Sequence, residues 1–157
     1  MPAAVEQVSK WLRLVEDAVL ALLLSSMIGL AAAQVIMRNF FDTGIYWGDS
    51  AVRVAVLWVA MVGAMVASRN DEHIRIDLAN HFLTNIGKQA AKRFVNLFTC
   101  LVLALFAWSS LDFIRFEYED QTIAFANVPA WVCEAIMPFG AVVMAIRYGL
   151  QVIWPKL

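Results

Sequence analysis

Three ionisable side chains fall inside long apolar runs: Arg53, Asp112 and Glu134. A charge inside a bilayer is costly, so it normally meets a partner, water or a functional task. The chemistry open to this trio is a proton or substrate relay. The structural alternative is an ion pair, or side chains that snorkel to the headgroups. Position favours the structural alternative. Each lies one to one and a half helical turns from the end of its run, roughly 5–8 Å. None lies near the middle of a run, where coupling sites of transporters usually sit among discontinuous helices. Equal depth allows Arg53 to pair with Glu134 or Asp112. Pro138 can kink the last run, but one proline is weak evidence for a discontinuous helix.

Other reactive residues carry less. There is no phosphate-cradling glycine loop, nucleophile elbow or metal-spaced Cys/His cluster. His73 and His81 are the only histidines, and both fall in one polar loop with no nucleophile or second acid placed beside them. Cys100 and Cys133 lie in apolar runs and read as small packing residues. No enzyme, cofactor or metal site is expected.

The elements that must position these residues are membrane spans. The chain of 157 residues is 62% hydrophobic, against about 45–50% in globular domains. Only 16% is charged and the mean hydropathy is +0.69. So small a domain has no room to hide that much apolar surface from water. Its net charge of −1 gives nucleic acid no attraction. A hydrocarbon layer about 30 Å thick needs about 20 helical residues. Residues 18–37, 51–68, 94–114 and 131–154 meet or approach that length, so we expect an all-α integral membrane protein with four transmembrane helices in one domain. Lys10, Arg13 and Ala31-Ala32-Ala33 have a signal-peptide flavour, but Glu6, Glu16, Asp17 and the continuing run Val35-Ile36-Met37 favour a retained span.

Basic residues set the orientation. With four spans, the termini and the middle loop share a side that holds Lys10, Arg13, Arg69, Arg75, Lys88, Lys92, Arg93, Arg147 and Lys156. The other side holds only Arg38, Arg53 and Arg115. Both termini should be cytoplasmic. The acidic loop of Glu117, Glu119 and Asp120 should face outward. Two amphipathic interfacial helices are expected, near residues 5–16 and 76–92. In the first, Val8, Trp11, Leu12 and Val15 form a stripe; in the second, Leu78, Phe82 and Ile86 do. Small residues recur every four positions at Ser25, Gly29 and Ala33, and again at Ala60, Ala64 and Ser68. Such stripes permit close helix approach, within this chain or onto a second membrane protein.

Several short motifs in order resemble one family. Arg38-Asn39-Phe40-Phe41 closes the first span, and Trp47 stands with an acid at Asp49. Trp58 and Gly63-Ala64 lie in the second span, followed by Arg69, His73-Ile74 and Asp77. Asn127-Val128-Pro129-Ala130-Trp131 opens the last span. In these features, its size and its layout, the chain resembles the small membrane subunit (DctQ-like, Q subunit) of a tripartite ATP-independent periplasmic, or TRAP, transporter. Gly48-Asp49 departs from the family's tendency to show glutamate after the tryptophan.

The resemblance implies a non-enzymatic subunit of the bacterial inner membrane. Its partners would be a large membrane transport subunit, a periplasmic substrate-binding protein and membrane lipids. The system would take up an organic anion with sodium, and this chain would act as scaffold. Trp47, Asp49, Arg53, Trp58 and Gly63 would brace the bundle toward the large subunit. Arg69, His73 and Asp77 would fix the turn after the second span. Glu117, Glu119 and Asp120 would offer a contact to the binding protein. The main rival is a self-sufficient homodimeric transporter coupled to protons through Glu134. A third reading is a haem- or quinone-carrying enzyme subunit.

Overall fold

The computed structural model describes residues 3–69 and 85–153. The stretch 76–84 of the second expected interfacial helix therefore lies outside the described residues. The helices are α1 (Ala3–Phe40), α2 (Gly48–Arg69) and α3 (Asn85–Asp120). A short hairpin of β1 (Ile123–Phe125) and β2 (Val128–Pro129) follows. The chain then closes with α4 (Ala130–Glu134) and α5 (Ile136–Ile153). Among the described residues, four helical stretches are long and apolar enough to cross a membrane: Lys10–Phe40, Gly48–Arg69, Ala91–Asp120 and Ala130–Val152. The protein is an all-α, four-span membrane protein.

Two helices outrun the bilayer. At 1.5 Å per residue, the 38 residues of α1 extend about 57 Å and the 36 of α3 about 54 Å, against about 30 Å of hydrocarbon. No break separates residues 5–16 from the first span, or residues 85–92 from the third. The fourth span is interrupted instead, between Glu134 and Ile136. Pro138 explains the site. It has no N–H to donate to the carbonyl of Glu134, and its ring would clash there. Near the break, the indole N–H of Trp58 donates to the carbonyl of Cys133 at 2.8 Å. A polar backbone atom loosened in lipid must find such a partner.

The main packing runs α1 on α2, α2 on α5 and α5 on α3. The core centres on Val62 and Met65 of α2 against Ile136 and Met144 of the last span, with Leu20, Leu23, Trp58 and Leu103 packed around it. Many large apolar side chains point outward, among them Leu22, Ile28 and Val35 on α1 and Phe98, Leu105 and Trp108 on α3. In water that surface would be untenable; in lipid it is the solvated face. α3 meets α5 closely where small residues permit: the Cβ position of Gly149 lies 3.6 Å from the Cys100 sulfur.

The hairpin was not foreseen from sequence. Its two-residue loop, Ala126 and Asn127, has φ values of 41° and 70°. Positive φ at both central residues is the turn whose twist suits a tight antiparallel pair. Asn tolerates that region well, whereas Ala does so at a cost.

Candidate functional site

Polar side chains gather at the two ends of the bundle. At the hairpin end, Gln34 of α1 is buried and organises the link to α2. Its amide nitrogen donates to the Ile45 carbonyl at 3.0 Å and to Asp49 Oδ1 at 3.4 Å, and its oxygen accepts from the Ile45 N–H at 3.3 Å. Gly48 lies against the same amide: a Cβ there would stand 2.5 Å from Gln34 Oε1. Trp47 stacks on Phe125 of the hairpin, with ring centroids 6.1 Å apart, and Tyr118 meets Trp131 edge-on at 5.7 Å. The turn into α2, the hairpin and the start of the last span thus form one polar and aromatic cap.

At the opposite end, where α2 finishes, three spans are joined by charge. Arg69 donates to Glu16 at 3.2 Å, to Asp17 at 2.8 Å and to the Arg13 carbonyl at 3.2 Å. Glu16 also receives Arg147 of α5, and Arg147 reaches the Met65 carbonyl and the Ser68 hydroxyl. Among the described residues, two carboxylates face two guanidiniums in a multiply hydrogen-bonded cluster. Partly buried charge requires such pairing. Gln34 and Glu16 lie 18 positions apart on α1, about 27 Å along the axis. That nearly matches the hydrocarbon thickness of about 30 Å, so the two polar anchors suit the two membrane surfaces.

The residues singled out in the sequence are distributed as follows. Trp47 and Trp58 make the contacts given above, within the chain itself. Gly63 faces α1, with Leu20 Cδ1 3.9 Å from its Cβ position. Asp49 is exposed apart from its bond to Gln34. Arg53 is exposed and has no hydrogen bond or ion pair among the described residues, so it joins neither Glu134 nor Asp112. Asp112 instead lies 3.8 Å from Arg115 on its own helix, and both are exposed. Glu134 is half-buried, and its Oε2 is enclosed with no hydrogen-bond partner among the described residues. Glu117 accepts from the Thr122 hydroxyl, while Glu119 and Asp120 are exposed. Arg69 belongs to the charge cluster; His73 and Asp77 lie outside the described residues. Among the described residues, no three His, Cys, Asp or Glu side chains converge as a metal site would need.

Sequence reasoning passed over Gln34, Glu16, Asp17 and Arg147 as a set of contacts. Each stands in or beside an apolar run, and that placement was the available signal.

With this geometry in view, comparison with known proteins decides the family. The family model for tripartite ATP-independent periplasmic transporters, DctQ component, matches residues 27–154. The chain belongs to that family. It is therefore a small-permease component of a TRAP transporter and a multi-pass protein of the inner membrane, and its family implies a large-subunit partner. The ectoine TRAP transporter small permease protein TeaB of Halomonas elongata is 23% identical over 94% of this chain and 77% of its own length. The C4-dicarboxylate TRAP transporter small permease protein DctQ of Vibrio cholerae is 23% identical, over 89% and 70%. The sialic acid TRAP transporter permease protein SiaT of Haemophilus influenzae is 25% identical over 88% of this chain, which spans only 22% of SiaT.

Proposed function

We propose that this chain is a non-enzymatic scaffold that holds the large subunit of a TRAP transporter in the bilayer. The complex takes up an organic anion, a carboxylate, in a sodium-coupled and binding-protein-dependent way. The observation that carries the reading is the match to SiaT: nearly all of this chain corresponds to about a fifth of a permease. Relatives named as small permease proteins, TeaB and DctQ, are matched over 77% and 70% of their own length, which supports a role beside a larger permease partner. Relatives named for sialic acid, ectoine and C4-dicarboxylate share the same level of identity, so substrate choice is assigned to the other subunits.

A small-residue stripe supports a contact for that partner. Ser25, Gly29 and Ala33 are all exposed, and nothing lies within 4 Å of the Cβ position of Gly29. This stripe does not seal the chain's own bundle. Small residues on a lipid-facing helix favour close approach of a second helix. Arg53 and Asp49, exposed on α2, extend the contact toward the outer surface; the turn of Arg69, His73 and Asp77 would steady the inner end. We place both termini in the cytoplasm, on the side richer in Lys and Arg. The acidic loop of Glu117, Glu119 and Asp120 then meets the binding protein outside.

The test is co-purification. Tagged chain should capture a co-expressed membrane protein of many spans, and alone in liposomes it should carry no solute. The rival reading, proton coupling through Glu134, draws on the enclosed and unpartnered Oε2. It requires the chain alone to transport and Glu134→Gln to abolish that transport, a result that would overturn the scaffold.

A further inference from the structure

We draw no further inference here: the strongest candidate, the enclosed Oε2 of Glu134 beside the break in the fourth span, belongs to the proton-coupling alternative already weighed and stands where, among the described residues, no three His, Cys, Asp or Glu side chains converge, so nothing in the structure shows what it would hold.

Discussion

Single atoms decide the two tight turns. Gln34 makes three hydrogen bonds that fix residues 45–49, and Gly48 is the only residue type that leaves its amide in place. Gly48→Ala puts a methyl group on Gln34 Oε1, so the amide must swing away and release Ile45. Leaving those buried groups unpaired should cost about 1–3 kcal/mol, read as a lowered unfolding midpoint in detergent. Gln34→Ala should cost a similar amount. The double variant should cost little more than either alone, because both break one network. Additive losses would show that Gly48 acts elsewhere. The hairpin offers the opposite sign. Ala126 holds φ at 41°, a region that costs an L-residue about 1–2 kcal/mol and glycine almost nothing. Ala126→Gly should therefore slow proteolytic nicking of residues 121–129, while Asn127→Val should hasten it.

At the scale of elements, Glu16 joins α1 to both α2 and α5 through Arg69 and Arg147. Glu16→Gln removes the charge that both guanidiniums share. The loss should be about 2 kcal/mol, the range for hydrogen bonds to charged groups, softened because the side chains are partly exposed. Asp17→Asn should cost far less, since Asp17 is largely exposed and holds Arg69 alone. Comparing the two unfolding midpoints checks the claim. These joints also show what a sequence can disclose. Four spans were legible because an apolar run of membrane length fits almost nothing but a helix in lipid. Constant helical rise let the sequence assign Arg53, Asp112 and Glu134 a similar depth, an expectation about height along the axis only. Rotation about each axis was not legible. It is set by packing, and it turns Arg53 outward and leaves Asp112 beside Arg115. The hairpin was missed because three-residue and two-residue strands carry no period. The unbroken course of α1 was missed because Glu16 and Asp17 look like an end to a span, whereas they are satisfied by arginines from other helices.

For the whole molecule, the question is which outward surface is for lipid and which is for protein. The 18-residue most apolar window of α1 has no buried residue, so the first span hangs on its neighbours at the polar anchors and along one side of α2. Such a span is cheap to re-cover, because lipid and protein are equally apolar and only packing distinguishes them. Gly29 tests this cleanly. A side chain there meets nothing within 4 Å in this chain, and leaving glycine favours the helix. Gly29→Leu should therefore leave the unfolding midpoint of the isolated chain unchanged or slightly raised. Against a close-packed partner helix, the same side chain overfills the contact by about 1–3 kcal/mol, so capture of the large subunit should fall about tenfold. Gly63→Leu is the counterpart: it pushes on Leu20 within the chain and should lower the midpoint of the isolated protein as well. Should Gly29→Leu destabilise the chain alone, α1 packs differently in solution. Should capture persist undiminished, the stripe faces lipid, and the large subunit must dock on Arg53 and the remaining outward face of α2.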